Sequence, residues 1–263
     1  MTQTTRKVKA TYRPLHEVSI VDAGKMHELF EQYYHNAPFD TFLSDLRKKD
    51  GVIFLREQHN KKIVGFSTLQ TMELDLGGRT VRGLFSGDTV SERRYWGNRA
   101  MLSCFARQML RIRLQKLTMP LYWLLISKGF KTYLILTNNF PKHYPHVDGQ
   151  FDRQLAPVVD AYCEKLWPAA FDRNNRVLQF GEGYQKLKGD VAEITSEMKV
   201  ENPKIDFFEV KNPTWRDGTE LPCVGQVTFS VFWLILKKSL SQLKPKRETA
   251  LRLPLIGFLS RAR

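Results

Sequence analysis

The sequence is poor in cysteine and in long apolar runs, and each shortage excludes a class of protein. Its three cysteines, Cys104, Cys163 and Cys223, lie far apart and form no CxxC pair, which argues against a disulfide framework and a zinc-binding cysteine cluster. No apolar run reaches the ~18 residues that span a bilayer, and the basic first segment lacks the apolar centre of a signal peptide. The sequence therefore predicts a cytoplasmic protein without a resident metal site.

Acidic residues are also scarce relative to basic ones. The 263 residues carry 41 lysines and arginines against 27 aspartates and glutamates, a formal net charge of +14. Such a balance favours a polyanionic partner, which could be nucleic acid, an anionic membrane surface or a phosphate-bearing small molecule. The chain has no nucleic-acid-binding motif, no phosphate-binding glycine-lysine loop and no GxSxG elbow. We therefore expect no specific nucleic acid partner, and neither nucleotide triphosphatase nor α/β-hydrolase activity.

Apolar periodicity predicts the order of elements in the first half of the chain. Residues 1–11 are expected to be flexible and residues 12–225 to form one domain. The predicted elements are a short strand at 17–21, a helix capped by Asp22, a helix after Pro38, strands at 51–57, 62–74 and 80–90, a helix from about Arg94 and a strand at 121–127. Residues 80–127 would then form a strand, helix, strand unit. The fold class is α/β.

The second half of the chain gives weaker patterns. Apolar residues at helical spacing predict a helix over 154–167, whereas the runs RVLQF (176–180) and KIDFFEV (204–210) are typical of strands. His143, His146 and Asp148 lie in the sequence HYPHVD, which lacks metal-ligand spacing, and we interpret these histidines as surface residues of a loop broken by proline. Residues 150–225 could form a cap that binds an acceptor or could complete the sheet.

The stretch SGDTVSERRYWGNRAM (86–101) connects a predicted strand to a predicted helix. A helix start offers free backbone N–H groups and a positive dipole end to an anion, and a glycine there allows the ligand to approach the backbone closely. Gly97 with Arg93, Arg94 and Arg99 therefore indicates a phosphate or pyrophosphate cradle. An ordinary helix start with solvated arginines is the simpler interpretation of the same residues.

Residues 94–99, RYWGNR, resemble the motif of the GNAT N-acyltransferase superfamily: Arg or Gln, two residues, Gly, one residue, then Gly or Ala. Arg94 and Gly97 match, whereas Arg99 stands at the small-residue position and Ala100 follows one place late. A register counted from Val90 instead places Ala100 correctly but puts Tyr95 and Asn98 at the Arg and first Gly positions. The order of predicted elements supports the resemblance over about residues 12–140. It implies a GNAT-like mixed, largely antiparallel central sheet flanked by helices, with a C-terminal extension.

The resemblance further implies an acyltransferase that uses acyl-CoA, or an acyl-carrier thioester, and an amine or hydroxyl acceptor. The expected CoA-binding residues are Thr89, Val90, Arg94, Tyr95, Trp96, Gly97, Asn98, Arg99 and Ala100. Asp88 is the first choice for the base, with Glu92 as the alternative, and Tyr133 or Tyr144 would protonate the departing thiolate. Each has a simpler interpretation: Asp88 as a turn or capping residue, and Tyr133, with Phe130 and Phe140, as core or as the lining of an acyl channel.

Residues 226–263 form a basic C-terminal tail in which Phe229, Phe232, Trp233, Leu236, Leu240 and Leu243 follow helical spacing. A basic amphipathic helix with aromatic residues on its apolar side can lie in the interface of an anionic membrane. The same helix could instead dock its apolar face onto the domain. A non-catalytic GNAT-like protein, peripheral on the inner face of a membrane or acting as a scaffold, is therefore the alternative to an enzyme.

Overall fold

The structure, a computed structural model, describes residues 6–189 and 191–243. Seven strands form the central sheet and eight helices accompany it in the described part of the chain. The helices are α1 (Ile20–Glu31), α2 (Phe39–Leu46), α3 (Ala100–Gln115), α4 (Phe130–Asn139), α5 (Asp152–Leu166), α6 (Ser196–Glu201), α7 (Pro203–Lys211) and α8 (Phe229–Leu243). The strands are β1 (Val8–Pro14), β2 (Tyr34–His35), β3 (Gly51–Glu57), β4 (Ile63–Asp75), β5 (Thr80–Ser91), β6 (Leu121–Ser127), β7 (His143–Tyr144), β8 (Phe171–Asp172), β9 (Val177–Leu178), β10 (Lys186–Leu187) and β11 (Leu221–Gln226).

The central sheet has the strand order β1-β3-β4-β5-β6-β11-β7. Its neighbouring strands pair antiparallel except for β5 and β6, which run parallel because α3 carries the chain back between them. The predicted fold class is confirmed, as are the strand, helix, strand unit over 80–127 and the antiparallel meander before it. Two further pairs of short strands, β2 with β10 and β8 with β9, lie outside this sheet.

Alternating side chains divide the sheet into two buried faces. On β3, Val52 and Phe54 pack against the apolar faces of α1 and α2, while Ile53 and Leu55 point to the opposite face. That opposite face is covered by α3, α4, α7 and α8, and α5 covers the other end of the first face. None of the helices in the described ranges is both long and apolar enough to cross a membrane.

The N-terminal region differs from the expectation in two ways. Val8–Pro14 form the edge strand β1 paired with β3, so the flexible segment predicted for 1–11 is wrong for residues 8–11. The strand predicted at 17–21 is also wrong, because α1 begins at Ile20 and its N-cap is Ser19, whose Oγ accepts a hydrogen bond from the Asp22 N–H at 3.0 Å. Asp22 is therefore not the cap; its carboxylate pairs with Arg56 at 2.9 Å.

Two elements of the second half also correct the sequence interpretation. KIDFFEV lies in α7, not in a strand: Asn202 caps the helix, Pro203 occupies its first turn, and Ile205 and Phe208 are buried at a spacing of three. The apolar segment 221–226 is β11, a strand inserted between β6 and β7 that the turn-rich composition around it concealed. The predicted helix at 154–167 is confirmed as α5.

The helix α8 packs against α3 and α4, with Val231 and Ile235 buried in the core. Part of the tail thus docks on the domain, one of the two alternatives drawn from the sequence. Phe229 and Trp233 instead remain exposed on this helix, at 56% and 67% of their surface. The predicted stripe residues Leu236, Leu240 and Leu243 have no described side chains, and residues 244–263 lie outside the described chain. The division at residue 226 stays a prediction.

Candidate active site

A cavity of about 1100 Å³ opens where β5 and β6 cease to pair. Their parallel register runs from Arg82–Leu121 to Ser86–Leu125, and β5 continues to Ser91. On its other side β5 bulges, because Thr68 of β4 faces both Gly87 and Asp88. The bulge and the separation of the strands leave room between them, and the residues of the bulge line the cavity.

Asp88 places a half-buried carboxylate in this cavity. Burial and, to a smaller extent, the nearby negative charge of Asp45 raise its pKa to about 6, against the opposite effect of Lys128 and Lys49. Among the described residues, none lies within ion-pair distance of the Asp88 carboxylate. The sequence prediction thus located a carboxylate that is ionised near neutral pH without a direct partner.

Two ion pairs, each with a buried lysine, lie in the same cavity as Asp88. Lys49 contacts Asp45 at 3.0 Å, and Lys128 contacts Glu220 at 3.2 Å; both lysine side chains are at most 10% exposed. Burial lowers the pKa of Lys128. Because each lysine has its own carboxylate, Asp88 remains as the uncompensated charge of this group.

Aromatic rings form one wall of the cavity. Phe85 packs edge-on against Trp167 at 5.4 Å between ring centroids, and Trp167 packs against Phe180 at 5.9 Å. Phe180 in turn stacks on Tyr184 at 4.0 Å, and the Tyr184 hydroxyl donates to Glu220 at 2.6 Å. Residues 167–187 therefore contribute part of the cavity wall, whereas β11 of the same half completes the sheet, and a role in acceptor binding stays a prediction.

The loop after β5 lies at the other end of the cavity. Gly97 has φ +80°, a conformation that favours glycine, and no heavy atom would lie within 4 Å of an added Cβ. The helix α3 starts only at Ala100, after a 3-10 turn at 93–95, so the helix predicted from about Arg94 begins six residues late. The Asn98 side chain accepts a hydrogen bond from the Ala100 N–H at 2.8 Å.

The nine predicted CoA-binding residues divide into two groups. Those that line the cavity are Thr89, Val90, Tyr95, Trp96, Gly97, Asn98 and Arg99. Arg94 does not line it: its guanidinium contacts Glu92 and Glu57, and its charge is already compensated. Ala100 is also outside the lining. The Nε of Arg99 is, within the described ranges, a buried nitrogen without a hydrogen-bond partner.

The structure does not bring the other predicted catalytic residues into the cavity. Glu92 accepts from Lys62 and Arg94 and lies outside the lining. Tyr133 lies in α4, fully buried, and its hydroxyl donates to the Pro145 carbonyl at 3.0 Å. Tyr144 is buried in β7, and burial raises its pKa to about 12. None of these three side chains lines the cavity that contains Asp88.

The acyl channel considered for Phe130, Tyr133 and Phe140 is wrong, because these side chains pack in the core and none lines the cavity. The apolar lining of the cavity near α3 comes instead from Met101, Leu102, Phe105, Trp123 and Ile135.

The histidines of HYPHVD differ from the expectation. His143 is buried, not on the surface: its Nδ1 bonds the Phe140 carbonyl at 2.7 Å, and burial lowers its pKa to about 4. Its ring lies 4.6 Å from that of His146. A search of the described residues finds no group of three or more His, Cys, Asp or Glu side chains that could hold a metal ion.

Sequence reasoning missed most of the polar and charged residues of the site. Asp45 and Lys49 belong to the end of α2 and the turn after it, Lys128 follows β6, Tyr184 lies in an irregular loop, and Glu220 precedes β11. No local motif joins these positions. The one available signal was Lys128, since a charged residue directly after the buried run LYWLLIS marks the strand end at which β5 and β6 separate.

Comparisons with known proteins give structural likeness at low identity. No protein-family model and no curated protein matches the chain. A probable N-acyltransferase from Enterococcus faecalis, a conserved protein of unknown function, aligns at 13% identity and TM-score 0.37, covering 52% of this chain and 33% of that one. A GNAT family N-acetyltransferase from Escherichia coli, solved with CoA, aligns at 12% identity and TM-score 0.34, covering 48% and 67%.

A third aligned structure is Saccharomyces cerevisiae N-myristoyltransferase with bound myristoyl-CoA, at 13% identity and TM-score 0.36, covering 46% of this chain and 31% of that one. GNAT N-acetyltransferases are thus among the solved structures that align with this chain, and the alignments cover about half of it, as the predicted limit of the resemblance implies. The strand order and the single parallel pair of the central sheet, β5 with β6, define the fold of this chain.

Proposed function

We propose that this protein is a cytoplasmic acyltransferase that moves an acyl group from acyl-CoA to an amine acceptor in the cavity between β5 and β6. The observation that carries the proposal is the position of Asp88. Its carboxylate, unpaired among the described residues, lies at the bulge of β5, in the same cavity as the Gly97 turn and the first turn of α3. A carboxylate that could act as base and a helix start that could bind an anion thus line one cavity, which supports transfer from a phosphate-bearing donor.

The donor would be held by the loop and helix start. Backbone N–H groups at the beginning of α3, the turn at Gly97 and the Arg99 guanidinium offer a cradle for a pyrophosphate. The apolar lining beyond it, which includes Phe105, Trp123 and Ile135, suits the extended arm that carries the thioester. A thioester on an acyl-carrier protein would present the same arm with a single phosphate instead of the pyrophosphate, so this donor is the alternative.

The chemistry of Asp88 favours an amine over a hydroxyl as acceptor. An amine that attacks the thioester carbonyl forms a C–N bond, loses a proton and expels the thiolate as the C–S bond breaks. A carboxylate with a pKa of about 6 is ionised at neutral pH and can accept that proton. A hydroxyl is a much weaker acid than an ammonium group and demands a stronger base. The negative charge also attracts an acceptor in its ammonium form, which must release one proton to solvent before the neutral amine attacks the thioester.

Calorimetric titration with CoA, acetyl-CoA and a long-chain acyl-CoA tests the donor site. Gly97→Ala should weaken CoA binding about tenfold or more, because a Cβ at φ +80° strains the turn and obstructs close approach. Gly78→Ala is the matched control: Gly78 has φ +87° and equally open space around a Cβ, but it lies in the turn between β4 and β5, outside the cavity lining.

The two variants should lose similar stability, and only Gly97→Ala should lose affinity. Equal CoA affinity of both variants and the wild type would contradict the proposed cradle. Binding of none of the three compounds by the wild type would favour the carrier-protein donor.

A non-catalytic protein of the same fold is the second candidate, and Arg99 is the observation that favours it. At the position where the resembling motif has a small residue, this arginine narrows the approach to the α3 N-terminus. Release of CoA thiol from acetyl-CoA in the presence of a panel of primary amines separates the candidates: thiol release that depends on the amine supports the enzyme, whereas CoA binding without release supports the non-catalytic protein.

A further inference from the structure

An apolar surface lies on the outside of α3 and α8, at the end of α3 remote from the cavity. It consists of Leu114 and Leu117 at the end of α3 and Phe229 and Trp233 on α8, each between 55% and 67% exposed. We call this set the α3–α8 surface. The side chain of Arg113 connects its two parts, because its guanidinium lies 5.7 Å from the Phe229 ring centroid and donates to the Leu117 carbonyl at 2.7 Å.

The exposed face of α8 differs from the apolar face that attaches it to the domain. Val231 and Ile235 are buried, whereas Phe229, Trp233 and Lys237 follow one another at intervals of four and all are exposed. The helix therefore has one apolar stripe for the core and a second stripe, with aromatic residues and a lysine, that no described residue covers. Two large exposed aromatic residues on one stripe indicate an interaction surface.

Basic residues predominate around the surface. Neither α3 nor α8 contains an aspartate or glutamate, and α3 carries Arg107, Arg111 and Arg113. Lys116 follows α3 but is paired with Glu73 at 2.8 Å, whereas Lys237 continues the exposed stripe of α8. The chain leaves α8 at residue 243, and residues 244–263 contain six lysines and arginines against one glutamate. A partner that contacts this region must accept apolar side chains and carry negative charge.

We propose that the α3–α8 surface docks this protein on an anionic lipid bilayer. Tryptophan and phenylalanine side chains enter the region between headgroups and acyl chains, and surrounding lysines and arginines are attracted to anionic headgroups. Arg113 lies beside the Phe229 ring, and Lys237 follows Trp233 on the same exposed stripe, which is the arrangement an interfacial helix requires. The surface extends the membrane contact predicted from the tail sequence alone, since Leu114 and Leu117 of α3 belong to it.

Flotation of the full-length protein with vesicles tests the proposal. Wild-type protein should float with phosphatidylcholine vesicles that contain phosphatidylserine and not with phosphatidylcholine alone, and added salt should weaken binding. The double variant Phe229→Ser/Trp233→Ser should reduce the bound fraction roughly tenfold or more, because two aromatic side chains no longer enter the interface. Val200→Ser/Val210→Ser is the matched control, because these valines are also exposed, at 84% and 68%, on α6 and α7.

A second measurement uses a milder substitution. The tryptophan emission of the wild type should shift to shorter wavelength when phosphatidylserine vesicles are added, and Trp233→Phe should abolish most of that shift while the protein still floats. The CoA affinities of Phe229→Ser/Trp233→Ser and of Trp233→Phe should equal that of the wild type. The membrane proposal and the proposed donor site are therefore tested separately.

Three results would overturn the proposal. Equal flotation of the serine double variant and the wild type would assign binding to residues 244–263 alone. Absence of flotation with either vesicle would exclude the bilayer as partner. A loss of mass in light scattering, from a dimer of the wild type to a monomer of the double variant, would make a second copy of the chain the occupant.

Discussion

Asp88→Asn should make this protein more stable at neutral pH and at the same time inactive. The carboxylate of Asp88 is ionised at pH 7.5 in a half-buried position, without an ion pair among the described residues. Asparagine has nearly the same shape and no charge, so it removes the cost of burying the ion and leaves the packing intact. The same substitution removes the base of the proposed reaction.

The size of the effect follows from the pKa. Burial moves the Asp88 pKa from 3.8 to about 6. A shift of about two pH units corresponds to ~3 kcal/mol. Because the side chain is partly exposed, solvent screening reduces the expected gain to about 1–2 kcal/mol. For a chain of this length that gain raises Tm by roughly 2–8 °C. Loss of a general base should lower kcat/KM by about 100-fold to 10,000-fold.

The stability difference between Asp88→Asn and the wild type should depend on pH. Below about pH 3 the carboxyl is neutral in the folded and unfolded states, so the variant and wild type should be equally stable. Between about pH 4 and pH 6 the unfolded state loses its proton first, and the wild type loses stability relative to the variant as pH rises. Above about pH 6.5 the difference should be constant. Wild-type kcat/KM should rise with pH through about 6 and then level off.

Urea unfolding of both proteins between pH 4 and 8 measures the stability difference, and thiol release measures activity. Asp148→Asn serves as a control, since that carboxylate is 80% exposed in the loop after β7 and its loss should change stability by less than about 0.5 kcal/mol. If Asp88→Asn is no more stable than the wild type at pH 7.5, the carboxylate is not desolvated and the reasoning fails. If the variant keeps full activity, Asp88 is not the base.

Two further predictions concern its neighbours. Asp45→Asn should destabilise the protein at neutral pH by about 1–3 kcal/mol in urea unfolding, because it leaves buried Lys49 unpaired. It should also move the rise of kcat/KM to lower pH, because Asp45 helps to raise the Asp88 pKa. An unchanged pH profile would contradict this coupling. Tyr133→Phe should cost about 1 kcal/mol of stability through the lost hydrogen bond to Pro145 and leave kcat unchanged, whereas a large fall in kcat in a stable variant would restore Tyr133 as the acid.

The first half of the fold could be predicted from the sequence because its segments have clear periods. The strands at 51–57, 62–74 and 80–90 are separated by short polar or glycine-containing turns, and the run LYWLLIS is continuously apolar because both faces of β6 are buried. Helical spacing identified α1, α2, α3 and α5 for the same reason. The structure corrects the ends of these elements more than their existence, as at Ser19 and Ala100.

Other elements could not be predicted because local composition and tertiary placement disagree. KIDFFEV is rich in β-branched and aromatic residues, yet Asn202 and Pro203 start a helix there and its apolar side packs on α4. β11 contains Pro222 and Gly225, which are unfavourable in a strand, but Gly225 lies against the Phe140 ring, where an added Cβ would come within 2.7 Å. The close packing of the end of α4 against β11, and not strand propensity, explains why glycine occupies position 225.

The candidate site shows the same division between local and distant information. Asp88 and Gly97 were found together because one stretch of chain, 86–101, supplies both the bulge of β5 and the turn before α3. The surrounding charges come from segments more than a hundred residues apart, such as Asp45 and Glu220. Each of these distant carboxylates neutralises a buried lysine. Such pairs produce no local sequence motif, because either partner can come from any segment that reaches the cavity. Their effect is specific: with Lys49 and Lys128 already paired, the carboxylate supplied by the local motif keeps its charge without compensation, and this arrangement makes Asp88 costly to the fold and suited to accept a proton.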